Sequence, residues 1–417
     1  MRRNMMRRRH SRAKAWCALT SAGLLAAACS REVPLAEQVE AHLQRGEHAQ
    51  AVALVERASR DRPGDDRPQD LRVRVLLRIG RPDAALRAYA ERWGQGGPES
   101  PVVFREVAAG LLQAGLYAED GVLRSRAAAA LAEWHAPDLL PVFRAALAHP
   151  EASVRASGVH GVAKLAGDEP ARLLRSALED PEAEVRAAAA SGTAGRSDPE
   201  LRAALGKALT DGSAMVRMRA AATLARGGDA RAAQLLTRLL NDRSDSIRMQ
   251  SAEALGRLGI RGAAPALRDL LGDANPYVRI YAAEALVRLG ATEGRRVLTS
   301  SLDHFNRSVA LYAAEALSNL GDAAGSARLV EALGPAHDPS VRLYAAWTLA
   351  RLNDTRGLPT LEELCLHPDA HVRIQAVWTL GELRDGVGVS GLRRSILDNA
   401  PSVRWQAAWS LAKAMGG

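Results

Sequence analysis

Apolar positions recur with a fixed period along the last three quarters of the chain. A valine or isoleucine followed by arginine returns about every 31 residues, at Val154-Arg155, Val185-Arg186, Val216-Arg217, Ile247-Arg248, Val278-Arg279, Val341-Arg342, Val372-Arg373 and Val403-Arg404. Each unit reads as a helix, a short turn and a second helix. A fixed period of this length is typical of stacked-repeat solenoids, in which neighbouring units supply each other's core. The pattern therefore predicts an all-α solenoid.

The unit around Val278 shows the pattern most plainly. Residues 265–271 predict the first helix, residues 272–276 a turn, and residues 278–289 a second helix that stops at Gly290. Glycine follows the second helix of other units as well, at Gly228, Gly259 and Gly321. When Leu123-Arg124 and the degenerate Val309-Ala310 are included, residues 101–417 contain about ten such units.

These units resemble HEAT repeats, specifically the short bacterial type related to the HEAT-like repeats of phycobilisome lyases. The resemblance rests on the Val-Arg start of the second helix, an aspartate five residues before it, and a proline thirteen before it at Pro141, Pro265 and Pro359. It implies an α-α superhelix in which aspartate and arginine six residues apart form a ladder of hydrogen bonds. The residues concerned are Asp180, Arg186, Asp211, Arg217, Asp242, Arg248, Asp273, Arg279, Asp398 and Arg404.

The unit around Val309 departs from this pattern. His304 and Ala310 replace the two ladder residues, and the next interval is 32 rather than 31 residues. The departure is either a local bend or softer joint, or drift of the repeat with no mechanical effect.

Residues 35–93 follow a different pattern, which resembles two tetratricopeptide repeats. Glycine ends one helix, alanines allow close approach of the next helix, and proline stops it. These positions are Gly46, Ala51, Ala58 and Pro63 in the first repeat, and Gly80, Ala85 and Tyr89 in the second. Residues 94–100, which are rich in glycine and proline, are predicted to be a linker.

The first residues predict export. A basic stretch up to Lys14 is followed by the short apolar run 15–28 and then Cys29, which is the layout of a secretory signal. The run ending at Cys29 resembles a bacterial lipobox, with Ala26 where leucine is usual. The resemblance implies that residues 1–28 are a lipoprotein signal peptide, that Cys29 carries lipid, and that residues 29–34 are a tether. The expected location is the cell envelope, on the outer membrane or periplasmic side; the alternative is an ordinary signal peptide cut nearby.

The charge of the chain changes once this segment is removed. The net charge is +9, but seven basic residues and no acidic ones lie in residues 1–28, so +2 remains. Nucleic-acid binding depends on many cationic contacts with phosphates, so we expect no nucleic-acid partner. Only Cys365 would remain of the three cysteines, so we expect no disulfide within the mature chain.

Three positions of each second helix, three, six and ten residues after the valine, return to one face. This face is expected to line the concave surface of the solenoid. It carries Tyr281, Tyr312 and Tyr344, then Trp347, Trp378 and Trp409, together with Glu253, Glu284 and Glu315. Large aromatic side chains at a surface are common anchors of protein interfaces. The alternatives are that the tryptophans only stiffen the C-terminal end, and that the glutamates are solvated helix formers.

Residues that could carry chemistry are few. Cys365, His367, Asp369 and His371 are donor types that zinc prefers, but Cys365 falls where other repeats place a buried leucine. The chain also lacks the His-Glu pairs with which the related deoxyhypusine hydroxylases hold iron, and no hydrolase or phosphate-loop motif is present. We therefore expect no metal, no cofactor, no small-molecule substrate and no catalytic residues.

The sequence predicts a non-enzymatic scaffold that is anchored by lipid and binds protein partners along its concave face. One alternative is an enzyme, or an enzyme subunit, of the HEAT-like lyase or oxidoreductase type. The other is a mechanical spacer, for which the tryptophans would not affect any interaction.

Overall fold

A computed structural model describes residues 34–62, 65–93, 101–115, 127, 130, 140–383 and 388–414. Several predicted features lie outside these residues. They are the signal peptide 1–28, Cys29, the tether up to residue 33, Pro63 of the first tetratricopeptide-like repeat, the linker 94–100 and the second helix around Leu123-Arg124.

The chain divides into two compact units, Met1–Val107 and Ala108–Gly417. Within residues 34–62 and 65–93, the first unit forms the helices α1 Leu35–Gln44, α2 His48–Asp61, α3 Asp66–Arg78 and α4 Pro82–Trp93. A fifth helix, α5 Pro101–Gly115, runs across the boundary. The division therefore falls inside a helix, a few residues beyond the linker that the sequence suggests.

The core of the first unit is built from small and branched side chains. Val39, Ala51, Val55 and Val75 form one buried cluster. Ala85 is also fully buried. Gly46 and Gly80 end α1 and α3 with φ angles of +72° and +73°, a backbone conformation that glycine adopts without steric cost.

The second unit alternates first and second helices of successive repeats. The first helices are α6 Leu140–Leu147, α8 Asp168–Ala177, α10 Pro199–Ala208, α12 Ala230–Leu239, α14 Ala264–Asp269, α16 Glu293–Ser301, α18 Ala323–Glu331, α20 Leu358–Leu364 and α22 Val389–Ser395. The second helices are α7 Ala152–Ala163, α9 Ala183–Gly192, α11 Ala214–Arg226, α13 Asp245–Leu258, α15 Pro276–Arg288, α17 Arg307–Asn319, α19 Pro339–Arg351, α21 Ala370–Glu382 and α23 Pro401–Ala414.

Each second helix packs against its own first helix and against the second helix of the next repeat. No strand occurs among the residues that the structure describes. The prediction of an all-α solenoid is confirmed.

The repeat pattern has a direct structural cause. The valine or isoleucine that opens the second helix is almost fully buried in most repeats, for example Val185, Val278 and Val403 at 0% exposure, whereas Val341 and Val372 are half-buried. Small residues let neighbouring second helices approach closely: a Cβ atom on Gly256 of α13 would lie 2.6 Å from the Cα of Ala285 on α15. Burial of such apolar faces between repeats is the main source of stability in a solenoid.

The ends of the second helices also follow the sequence. Gly228, Gly259, Gly290 and Gly321 all have positive φ, between +69° and +91°. Asn353 occupies the same position after α19, at φ +61°, because asparagine tolerates this conformation better than other non-glycine residues.

No helix within the described ranges is long and apolar enough to cross a membrane.

Candidate functional site

The loops between first and second helices are joined by a ladder of ion pairs. Nε and Nη2 of the helix arginine donate to the aspartate carboxylate of the following repeat, 25 residues later, at 2.7–3.0 Å. The four pairs are Arg155–Asp180, Arg186–Asp211, Arg248–Asp273 and Arg373–Asp398. Nη1 of the same arginine donates to backbone carbonyls of its own loop, for example Arg186 to Asp180 and Pro181 at 2.8 Å. Residues six apart, such as Asp180 and Arg186, are therefore joined through the backbone carbonyl of the aspartate. The aspartate carboxylates instead join neighbouring repeats.

The ladder is interrupted at three of the predicted positions. Arg217 bonds its own loop through the Asp211 carbonyl, but it forms no ion pair with Asp242, whose carboxylate caps the Ser244 amide. Arg279 likewise bonds the Asp273 carbonyl, and His304 stands where its carboxylate partner would be. The His304 ring accepts the Asn306 amide at 3.0 Å, so histidine keeps the loop turn without the ion pair. Arg404 belongs to the last repeat and bonds its own loop.

Arg342 makes a different set of contacts from the other ladder arginines. Its Nε donates to the carbonyl of Leu333 at 3.0 Å, and its two other nitrogens bind the Glu363 carboxylate at 2.9 and 2.5 Å. The extra residue before Val341 and the replacement of aspartate by His367 explain why this arginine finds a new acidic partner.

The ladder carboxylates are stabilised in their charged form. The Arg155 and Arg186 guanidinium groups lower the pKa of Asp180 and Asp211 below the ordinary value. At Asp398, burial raises the pKa, but the bonds from Arg373 and the Ala400 amide outweigh it and the net direction is down. These side chains are no more than about a fifth exposed, so solvent screens the pairs only in part.

Five of the predicted aromatic side chains lie in one continuous row, which we call the aromatic stripe: Tyr281, Tyr312, Tyr344, Trp347 and Trp378. Successive ring centroids are 6.4, 5.2, 5.7 and 6.2 Å apart, and Trp347 and Trp378 are stacked. Tyr277 adds an edge contact to Tyr312 at 5.1 Å. All five rings are half-buried, so each keeps part of its surface in solvent.

The predicted glutamates already have partners within the protein. Arg257 bonds Glu253 at 3.2 Å and Arg288 bonds Glu284 at 2.7 Å. Glu315 receives Arg351 at 2.6 Å and the Tyr344 hydroxyl. The Arg351 guanidinium also lies 4.7 Å from the centroid of Trp347, a cation–π geometry.

Burial shifts the pKa values of several side chains on this face. It raises the pKa of Glu284, although the Arg288 bond opposes the shift. It also raises the pKa of Tyr281 and of Tyr344, with the negative charge of Glu315 adding to the effect in both. The tyrosines therefore remain neutral hydrogen-bonding groups at physiological pH.

Trp409 lies apart from the aromatic stripe. It is only 5% exposed and belongs to the large core cluster that also contains Leu112, Ala127 and Ala130 of the first HEAT repeat. Its neighbour Trp405 is close enough to Gly115 that a Cβ there would lie 2.9 Å from the indole ring. The prediction that Trp409 offers a binding surface is thus replaced by a packing role, since the last repeat covers it by contact with the first.

Cys365 and His367 of the cysteine and histidine cluster take structural positions in their repeat. Burial raises the pKa of the Cys365 thiol to about 12, and the side chain lies in the core as leucine does in other repeats. The ring of His367 accepts the Asp369 amide, as expected for a loop-capping residue. Within the described ranges no three histidine, cysteine or carboxylate residues are placed to hold a metal ion.

Two cations on the same face were not singled out by the sequence. Arg219 and Arg226 stand three and ten residues after Val216 on α11, and both are exposed. The three-, six- and ten-residue rule could have found them, because it selects these positions in every repeat.

Comparison with known proteins identifies the second unit. A family model described as HEAT repeats matches residues 108–192, 171–256, 238–318, 264–336 and 326–412. Together these cover most of the chain, which therefore belongs to the HEAT-repeat family. Residues 26–94 match a second model, described as a bacterial transcriptional activator domain, and the tetratricopeptide-like pattern remains a prediction. No protein with a curated description matches the chain.

Three solved structures with similar folds share 13–21% sequence identity with the chain. Human deoxyhypusine hydroxylase is 21% identical over 59% of this chain and 96% of its own, with a TM-score of 0.33. The CpcE–CpcF complex of phycocyanin lyase from Nostoc is 20% identical over 69% and 95%, with a TM-score of 0.34. Kap121p bound to Nup53p is 13% identical over 90% and 48%, with a TM-score of 0.37.

Proposed function

We propose that this protein is a non-enzymatic scaffold that binds protein partners through the aromatic stripe. The observation that carries the proposal is the continuous row of five half-buried rings across four successive second helices. Aromatic side chains supply large contact areas at little conformational cost, and they dominate the energetics of protein interfaces.

The repeat architecture supports the same proposal. A stack of helix pairs presents equivalent side chains at regular intervals, which suits an extended or helical segment laid along it. The described part of the chain holds no metal-binding cluster. Glu253, Glu284 and Glu315, on the same face as the aromatic stripe, are bonded to arginines of the protein itself. We extend the proposal to the cell envelope, with lipid on Cys29 holding the protein at a membrane surface, since the sequence before Cys29 has the layout of a lipoprotein signal.

The test places a photo-crosslinking amino acid at Gln375, an exposed position three residues after Val372 and adjacent to the stripe. Crosslinking in cells is expected to capture a partner protein, and the double substitution of Trp347 and Trp378 by alanine is expected to abolish that crosslink. A matched control replaces Leu366 and Leu397, two exposed apolar side chains of the loops, by alanine.

Loss of the crosslink in the tryptophan variant alone would support binding through the stripe. Equal crosslinking in parent, variant and control would exclude the stripe as the interface. Growth of cells in labelled palmitate tests the anchor separately, because Cys29→Ala must abolish incorporation of the label if Cys29 is acylated.

A further inference from the structure

The face that carries the aromatic stripe has two exposed arginines, Arg219 and Arg226, at one end. Neither Arg219 nor Arg226 has a hydrogen bond or an ion pair with any residue that the structure describes. The position between them, six residues after Val216, is Ala222. The next three repeats carry Glu253, Glu284 and Glu315 at that position, so the repeat with these two arginines lacks the glutamate that its following neighbours have.

Repeat geometry places these arginines on the same face as the stripe, because Arg219 and Tyr281 both stand three residues after the opening valine and α11, α13 and α15 pack successively against one another. His160 stands six residues after Val154, two repeats before Arg219. Burial lowers the pKa of His160 and the positive charges of Lys164 and Arg219 lower it further, although a backbone hydrogen bond at Ala156 and the negative charge of Glu184 oppose the shift. The same reach appears further along, where Glu253 and Glu315, two repeats apart, both raise the pKa of Tyr281. Side chains two repeats apart on this face therefore lie within range of each other's charge.

The glutamates on the same face as the aromatic stripe do not offset this charge. Glu253, Glu284 and Glu315 are each held by an arginine of the same face. A cationic partner would have to displace those arginines before it reached a carboxylate. Binding of basic groups by these glutamates is therefore unfavourable, and the two arginines make this end of the face complementary to negative charge.

We infer that the partner segment is acidic at one end and apolar at the other, with its carboxylates on Arg219 and Arg226 and its apolar side chains on the aromatic stripe. The inference rests on the proposed function and specifies the partner's chemistry and orientation. Guanidinium groups bind carboxylates in bidentate geometry, and exposed charges of this kind set orientation and association rate more than they set affinity.

The experiment measures fluorescence anisotropy of labelled synthetic peptides with the full chain. One peptide has a run of glutamates followed by alternating tryptophan and leucine; in two others the glutamates are replaced by glutamine or by lysine. We expect the glutamate peptide to bind about tenfold more tightly than the glutamine peptide and the lysine peptide to bind most weakly, with the difference shrinking as salt is added.

Charge-reversal variants locate the effect. Arg219→Glu with Arg226→Glu is expected to reverse the preference, so that the lysine peptide binds most tightly. The matched control, Arg238→Glu with Arg243→Glu, makes the same change of net charge at two exposed arginines of the next repeat, off the selected positions, and is expected to keep the glutamate preference.

The outcomes separate the inference from the proposed function. Equal binding of all three peptides that is lost on replacing Trp347 and Trp378 by alanine would overturn the inference and leave the stripe as a binding surface. A glutamate preference that survives charge reversal at Arg219 and Arg226 would also overturn it. Failure of every peptide to bind would count against the inference and the stripe together.

Discussion

At the scale of single residues, the aspartate–arginine pairs fix the spacing of the loops. Each ladder aspartate accepts the arginine of the preceding repeat and caps its own turn; Asp180, for example, also accepts the Glu182 amide at 2.9 Å. The residue types follow from the sequence repeat. The sequence repeat does not show which aspartate each arginine binds, because an aspartate six residues before it and one 25 residues after it both recur with the period. Stacking of the repeats brings the later aspartate within reach.

We predict that Asp180→Asn with Asp211→Asn lowers stability at neutral pH by about 1–3 kcal/mol for each pair, since asparagine keeps the turn but loses the charge-assisted bond. The effect must depend on pH. The folded-state pKa of both aspartates is lowered, so their contribution is present above the ordinary aspartate pKa and disappears as pH falls through the lower folded value. Urea unfolding followed by circular dichroism between pH 7 and acid conditions should show the stabilities of parent and variant converging at low pH.

Asp198→Asn, at a helix cap with no arginine pair, is the control. A difference in stability between parent and variant that stays constant with pH would contradict the prediction.

At the scale of helices, close approach between second helices depends on small residues at fixed positions. Gly256 has no room for a methyl group, because a Cβ would lie 2.6 Å from the backbone of Ala285. Gly206 on α10 is exposed, and a Cβ atom added there would have no other atom within 4 Å.

The same substitution should therefore have opposite effects at the two positions. Gly256→Ala is expected to destabilise the protein by about 1–3 kcal/mol through overpacking. Gly206→Ala is expected to stabilise it by up to about 1 kcal/mol, because alanine favours the helix. Thermal unfolding of both variants checks the prediction, and an equal shift for both would mean that α13 and α15 separate at little cost.

At the scale of the whole second unit, the repeat that contains α23 contacts the repeat that contains α5. Trp409 is buried with Leu112, Ala127 and Ala130, and Trp405 lies against Gly115. The contact buries apolar surface of α23 that would otherwise face solvent.

Trp409→Ala should remove this contact and leave a cavity, at a cost of about 3–5 kcal/mol. Local opening is the better measurement, because stability in a repeat array is not uniform. Amide exchange in residues 101–115 and 401–414 is expected to accelerate in the variant, while exchange in α11 and α13 stays unchanged. Trp378→Ala, at a half-buried position of the stripe, is expected to leave exchange in residues 101–115 as it is in the parent. Unaltered exchange at both ends in the Trp409 variant would show that the contact contributes little.

The repeat period, the all-α fold, the turns and the aromatic side chains could all be predicted from the sequence, because they depend on spacing within one or two helical turns. Gly228, Gly259 and Gly321 end their helices where the pattern placed them, and most of the valines that open second helices are buried. Local spacing also put Tyr281, Tyr312, Tyr344, Trp347 and Trp378 on one face. What the sequence alone left open was which of these groups remain accessible and which are already bonded.

Tertiary structure decided those points. Glu315 is held by Arg351 from the next repeat, Arg342 bonds Glu363 in place of a ladder aspartate, and Trp409 is buried against residues almost three hundred positions earlier. Each contact joins side chains from different repeats, and their distance depends on how the helices stack rather than on their spacing along the chain. A periodic sequence fixes what each repeat presents, whereas the packing between repeats fixes which of those groups meet.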